Sequence, residues 1–468
     1  MTPGRPLRLS GPARIALGAG ALYFLCFAVL SVAQFEGFHS RSYDLAISVR
    51  MLWGLRHAQF HEVFTDQPWL AFHFEPILLP LALLDAVLPP VNWLLCLQTA
   101  ALALAAWPAY RMGARVLGSP RGGALAACVL LVYPVLSGAN LFEFHPVALA
   151  VAPGLALLDA LDRRAHRQAW LWAALTAACR EDGFNLLGLA LLSVPAATRS
   201  ERMRRLALAG CAFAAYGLYV GVVQPRWGSL YAFRQWFGGL GATPGAALGF
   251  LLTHPGAALR NAASFSTLRY LLGLLAPLGF LPLLAPRRAL PALWTLTVNV
   301  IGGTTSLDSH FSALAIPGLF VGALYGAARL RTRLSPLWVE GFFGAAALVG
   351  LWLFGAGPLS RGFDRKDYAV DEQSAQLATL IAPIQAAPAA SCSVPLNVIA
   401  HVAQRPRVLP SPRGLGEVDF ALVDLASPPV LGSDAQSFQR LLHERVAQAL
   451  GAGMRIVDQQ GSYVLLRR

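Results

Sequence analysis

The sequence predicts an all-α protein that crosses a membrane many times and ends in a small soluble α/β module. Three observations predict it. The chain of 468 residues is 56% hydrophobic and only 13% charged, more apolar surface than one water-soluble core of that length can hide. Apolar runs at Ile15 to Ala33, Leu206 to Val223, Leu268 to Ala285 and Leu337 to Phe354 each approach the ~20 residues an α-helix needs to span hydrocarbon. The formal net charge of +13 comes largely from arginines gathered in short clusters between such runs. That pattern marks loop sidedness in a membrane protein and gives no reason to expect nucleic acid as a partner.

Taken in chain order, the clusters dictate the path. They lie at Arg5, Arg8 and Arg14; Arg111, Arg115 and Arg121; Arg163, Arg164 and Arg167; Arg199, Arg202, Arg204 and Arg205; Arg287 and Arg288; and Arg329, Arg331 and Arg333. If all stay in the cytoplasm, an even number of crossings separates each cluster from the next. Ile15 to Ala33 then goes out, Val91 to Tyr110 returns, Gly122 to Leu136 goes out and Pro146 to Leu161 returns. Ala169 to Ala197 carries Arg180, Glu181 and Asp182 in its middle and reads as two short helices with a charged outer tip. Leu206 to Val223, Leu268 to Ala285, Ala289 to Gly303, Phe311 to Ala328 and Leu337 to Phe354 complete a set of about nine to eleven spans. Pro76 to Leu88 is apolar but short, and reads as a re-entrant or interfacial helix. The N-terminus falls in the cytoplasm and the tail outside, in a cytoplasmic (inner) membrane. The first run is long enough to remain as an anchor after insertion.

The predicted domains are a transmembrane domain over 1–356, with a large first outer loop over 34–75, and an extracytoplasmic α/β module over 357–468. Composition shifts after Gly357 to charged and turn-rich sequence. Strands are expected at Asn397 to Ala400, Asp419 to Val423 and Tyr463 to Leu466. Ser437 to Leu450 has helical spacing, with Phe438, Leu441, Leu442, Val446 and Leu450 on one face. Five of the six cysteines fall in predicted spans and Cys392 stands alone in the tail, so no disulfide between soluble loops is expected. A phosphate-cradling glycine loop, a dinucleotide fingerprint, HExxH and paired CxxC are all missing from the sequence, which removes the usual signatures of ATP-driven transport and zinc proteolysis.

On this topology the acids and imidazoles converge on the outer side. The first outer loop carries Asp44 in SYDLAISVRMLW and ends in FHFEP with His73 and Glu75. NLFEFHP supplies Glu143 and His145, CREDG supplies Arg180, Glu181 and Asp182, and SLDSHF supplies Asp308 and His310. Ionisable groups at membrane depth are costly, so they line a cavity or pair with one another. A shared cavity would give a general base for an acceptor hydroxyl, carboxylates for a divalent cation such as Mg or Mn, and cations for a phosphate. Plain structural roles compete at each position. Asp44 also suits a helix cap or an ion pair with Arg41, His73 and His145 suit satisfied interface histidines, and the Arg180 to Asp182 run suits a solvated turn.

In order and spacing, SYDLAISVRMLW, FHFEPILLPL, the glutamine-bearing helix before WPAYRMGARVL, LVYPVLSGANLFEFHPVALA, CREDG, LAPLGFLPLLAP and HFSALAIPGLF resemble an uncharacterised prokaryotic family. It is domain-of-unknown-function family 2079, grouped with the GT-C superfamily of glycosyltransferases. The resemblance runs from the first helix to about Gly326, more loosely in the tail. It implies a GT-C-like fold, with a site at the outer surface that takes a sugar from a polyprenyl-phosphate carrier and passes it to an acceptor. Asp44 matches the first-loop acid, the implied general base or metal ligand, and Glu143 and His145 are further catalytic candidates. Arg41, His73, Glu75, Arg180, Glu181, Asp182 and His310 are candidates for substrate binding, and Asp44 and Glu143 for a metal. Arg180 stands where the family commonly has lysine, and Phe311 where it has tyrosine, which removes any role for a phenol there. A transporter or flippase for a lipid-linked or anionic solute, and a scaffold whose tail binds a partner, are the alternatives.

Overall fold

The computed structural model describes residues 10–40, 42–62, 64, 67–88, 91–228, 230–426 and 435–468. The chain divides into two compact units: Met1–Val29, Leu70–Ile77 and Cys96–Phe363 form one, and Leu30–Trp69, Leu78–Leu95 and Asp364–Arg468 the other.

Five helices are long and apolar enough to cross a bilayer among the described residues: Gly11–Glu36, Asn92–Val116, Arg199–Trp227, His310–Leu330 and Pro336–Phe354. The protein is therefore an integral membrane protein with several spans. Their surfaces say the same: Leu22, Leu25 and Val29 on the first, and Leu337, Trp338, Leu348 and Trp352 on the last, are exposed, and only lipid covers so large an apolar surface cheaply. His310–Leu330 is the reverse case, almost wholly enclosed by protein, with Phe320, Ala323 and Leu324 fully buried.

Several expected spans are interrupted instead of continuous. Gly122 to Leu136 is a broken pair, Pro120–Leu131 and Pro134–Leu141, bent by 44°. Pro134 supplies no N–H and forces Tyr133 before it into extended backbone, as proline does. Leu268 to Ala285 is helical only over Phe265–Leu275 and then breaks into 3-10 turns, with Gly279 and Phe280 at positive φ. Pro146 to Leu161 opens as a 3-10 turn, Pro146–Ala150, before the helix Val151–Asp162. The short pair inside Ala169 to Ala197 forms as predicted, as His166–Cys179 and Asp182–Ser193. Pro76 to Leu88 yields only Leu78–Asp85, too short to span.

Three of the arginine clusters meet around two acids. Asp159, at 1% exposure, receives Arg111 at 2.9 Å, Arg115 at 2.7 Å and Arg163 at 3.1 Å. Asp162 receives Arg115 at 2.9 Å, Arg288 at 3.1 Å and the Tyr325 hydroxyl. These ties join helix ends from four parts of the chain.

The second unit is built on a five-stranded mixed sheet in the order Val408–Pro410, Cys392–Val394, Phe420–Asp424, Tyr463–Arg467, Arg455–Gln460. The first two pairings are parallel and the last two antiparallel. Helix Ala435–Gly451 packs on it through Phe438, Leu442, Val446 and Ala449, whereas Leu441 and Leu450, expected on the same face, are exposed. Asn397 to Ala400 is not a strand. Its end coils into the 3-10 turn Ile399–Val402, and the strand lies earlier, at Cys392–Val394. Helix Glu372–Gln385, capped reciprocally by Asp371 and Ser374, was not foreseen. The first loop belongs with this tail. The Ser42 hydroxyl donates to the Leu396 carbonyl at 2.7 Å, Arg50 to the Pro406 carbonyl at 3.1 Å, and Arg413 to the Phe64 carbonyl at 3.1 Å. All six cysteines are free.

Candidate functional site

Two polar clusters sit within the first unit, and each is held by backbone that the apolar helices position. The segment LAFHFEPI, residues 70–77, is pinned from both sides. The Tyr219 hydroxyl donates to the Leu70 carbonyl at 2.7 Å, Gln224 to the Phe72 carbonyl at 3.2 Å, and the Ile77 N–H to the Ala178 carbonyl at 3.0 Å. Phe74 fills the gap between, against Phe184 and Tyr219. The segment is thereby laid against the tip between helices His166–Cys179 and Asp182–Ser193. Gly183 makes that tip possible, because a Cβ there would stand 2.5 Å from the Thr176 carbonyl oxygen.

Against this frame the His73 ring meets Glu181, Nδ1 to Oε1 at 2.7 Å, and the Phe74 N–H donates to the other carboxylate oxygen at 2.9 Å. Arg180 turns to Asp182, with Nε and Nη2 at 2.8 and 2.7 Å from Oδ2, while the Trp294 indole donates to Oδ1 at 3.0 Å. Burial raises the cost of charge on Glu181, but the His73 charge and hydrogen bond outweigh it and hold the carboxyl well below its ordinary range. His73 moves the other way: burial disfavours its charged form, yet Glu181 wins and raises it above 6.5. Glu75, at 6% exposure, lacks such a close partner. Burial, seconded by the Glu181 charge, pushes it up to about 7 against the pull of His73 and Arg180, the range a general acid or base needs.

The second cluster is organised by Gln98, a buried amide on Asn92–Leu104. Its Nε2 donates to the carbonyls of Asn140 at 3.1 Å and Glu143 at 2.7 Å, and its Oε1 accepts the His145 N–H at 2.8 Å. The Thr99 hydroxyl donates to the Asn140 side-chain oxygen at 3.0 Å. Held in this way, Glu143 adopts φ 98°, a conformation non-glycine residues rarely accept unless the surroundings impose it. Gly138 lets the SLDSHF loop close in: a Cβ would lie 2.1 Å from the Leu307 carbonyl oxygen. The result is a stacked pair of imidazoles. His145 and His310 lie 3.6 Å apart between ring centroids and 17° from parallel, each at 8% exposure, with Phe142 and Phe311 against them. His310 also lies within electrostatic range of Arg180 and His73, so the clusters share one region. Asp308 precedes the pair, and burial pushes its carboxyl up despite Arg269.

Of the residues singled out from sequence, the first unit thus brings together His73, Glu75, Arg180, Glu181 and Asp182, and stacks His145 on His310. Glu143 contributes its carbonyl to Gln98. Asp44 belongs to the second unit, in the first turn of helix Tyr43–Arg56 and half-buried. Arg41 lies outside the described residues. Sequence reading notes Gln98 only as the glutamine of a family-like helix, without a site role, and passes over Trp294, Tyr219 and Gln224. Gln98 had a signal, being an amide in the middle of an apolar helix, where an unsatisfied amide is costly. The other three mark themselves only by the contacts they make.

No curated protein matches the chain. The family model described as "Predicted membrane protein (DUF2079)" matches residues 34–419, a stretch that includes both clusters, and the chain belongs to that family of membrane proteins of unknown function.

Proposed function

We propose that the protein is a membrane glycosyltransferase of the GT-C type. It transfers a sugar from a polyprenyl-phosphate-linked donor to an acceptor on the outer face of the cytoplasmic membrane. The observation that carries this reading is the convergence, in one unit, of residues 70–77, 140–145, 180–182 and 308–310, which supply an ion-paired histidine, an anchored arginine and a carboxyl near neutrality. In the transfer the bond from the anomeric carbon to the carrier's phosphate oxygen breaks. A bond from the acceptor oxygen forms in its place, and the acceptor proton leaves to a base. Arg180 and His73 suit the phosphate, whose negative charge grows as it departs. Glu75 is poised to accept or return a proton at pH 7. Asp44 remains the acid that the family resemblance assigns to acceptor activation, and a divalent cation is compatible with the carboxylate and imidazole donors.

The interrupted helices around Tyr133 and Gly279 favour a second reading, since transporters build binding sites from discontinuous helices. One experiment separates the two. The purified protein is placed in liposomes containing radiolabelled polyprenyl-phosphate sugars, with lipid, glycan and peptide acceptors outside. Transfer of label to an acceptor, lowered at least ~100-fold in Glu75→Gln, supports the enzyme. Label that crosses the bilayer still attached to its carrier, with no transfer, supports the flippase and sinks the enzyme. Reporter fusions after Arg121, Arg205 and Gly357 check the proposed sidedness.

A further inference from the structure

Among the described residues of the first unit three buried side-chain nitrogens lack a hydrogen-bond partner, the Nδ2 atoms of Asn140 and Asn185 and the Nδ1 of His310; only the last can accept a metal ion, and its side chain is more than nine-tenths buried. A buried imidazole nitrogen left this way is costly, so its retention calls for a ligand. The second imidazole is already beside it. His145 stacks on His310 at 3.6 Å, and the two rings offer nitrogens within 4.8 Å of one another.

We propose that His145 and His310 form a binding site for a borderline transition-metal ion such as zinc, cobalt or nickel. Bonds of about 2.0–2.1 Å from each nitrogen bring two imidazole donors to at most ~4.2 Å apart. The lone pairs lie in the ring planes, so metal binding requires the two rings to rotate about Cβ–Cγ well beyond the present 17° between their planes, until both nitrogens face one ion. The surroundings fit the task. Gln98 fixes the backbone of His145 through its N–H, Gly138 seats the loop that delivers His310, and Phe142 and Phe311 exclude water from the rings. Nitrogen donors select zinc, cobalt or nickel over magnesium and manganese, which prefer oxygen. Two protein ligands leave coordination positions open, to water or to a phosphate oxygen. This assignment does not depend on glycosyl transfer, and moves the metal from the carboxylates considered at the outset to the imidazole pair.

The test uses the full chain, purified in detergent with a tag other than polyhistidine, stripped with chelator and titrated with cobalt alone. The wild type is expected to bind about one cobalt per chain and to show its visible ligand-field bands. His145→Ala and His310→Ala lose at least ~100-fold in affinity, a larger loss than the ~10 to 100-fold typical of outer-shell changes. His254→Ala, at an exposed histidine, binds as the wild type does. His310→Cys guards against simple misfolding: it keeps cobalt and adds a thiolate charge-transfer band in the near ultraviolet. Absence of binding in the wild type overturns the proposal. So does a wild-type cobalt spectrum in His310→Ala.

Discussion

Asp159 and Glu75 are both buried carboxyl groups of the same unit, yet their surroundings treat them in opposite ways. Asp159 is met by three guanidinium groups within 3.1 Å and helps to fasten helix ends together. Glu75 has only charges at a remove, and burial prevails, so that it titrates near neutrality. The same contrast runs through the neighbours, since Asp162 is saturated by Arg115, Arg288 and Tyr325 while His310 keeps an unpartnered nitrogen. A saturated charge holds structure, and an unsatisfied one has capacity left for a proton, an ion or a substrate.

The largest effect should come from breaking the saturated end. Asp159→Asn leaves Arg111, Arg115 and Arg163 facing one another around a neutral amide. Removing one partner of a buried ion pair costs about 3–5 kcal/mol, and the arginines, roughly a third exposed, place this case toward the lower end. Thermal unfolding in detergent should show a clearly lowered midpoint, or folded protein should fail to accumulate. An unchanged midpoint would mean that the arginines are solvated well enough to need no counter-ion, and the contrast with Glu75 would collapse.

Glu75 supplies the next test, and its sign follows from the direction of its shift. A carboxyl raised from 4.5 to about 7 in the folded protein contributes stability that is complete below pH 4.5 and is lost as pH rises through 7. The loss is on the order of 3 kcal/mol. His73 and Glu181 impose a narrower window: the lowered Glu181 adds stability above about pH 4.5, and the raised His73 keeps its own below 6.5 and gives it up above its folded value. Glu75→Gln should therefore flatten the decline between pH 4.5 and 7 while leaving the loss attached to His73. A melting series across that range measures it, and parallel curves for wild type and variant would show that Glu75 ionises at its ordinary value.

How much of this the sequence disclosed depends on the physics behind each feature. Apolar length and arginine placement are local properties, and five of the predicted spans correspond to the long helices Gly11–Glu36, Asn92–Val116, Arg199–Trp227, His310–Leu330 and Pro336–Phe354. The breaks at Tyr133 and Gly279 were also written locally, in Pro134, Pro277 and Pro282, but hydropathy outweighed them in the reading of a continuous run. Asp159 and Asp162 went unnoticed because their meaning lies in arginines that are distant in the chain. His145 and His310 could be named from their proline-flanked and serine-flanked loops, whereas their stacking could not. It depends on Gln98 and Gly138, whose roles are visible only when the backbone they hold is seen. In the tail, Phe420–Asp424 and Tyr463–Arg467 announce themselves as short apolar runs between polar turns. Cys392–Val394 is three residues long and buried on both faces, too short to carry a period.

The smallest effect completes the comparison from the solvent side. Arg407 and Glu417 in the second unit make a contact of 2.9 Å, as short as the Arg111 pairing with Asp159, but their side chains are 46% and 70% exposed. Water at both ends already solvates the charges, and ordering two long side chains offsets most of what the pairing gains. Arg407→Gln should therefore shift stability by no more than about 0.5 kcal/mol, and added salt should shrink even that. If Arg407→Gln instead destabilised the protein as much as Asp159→Asn, distance alone would set the strength of these pairs. Burial would then lose its place as the property that separates the structural acids from those available for chemistry.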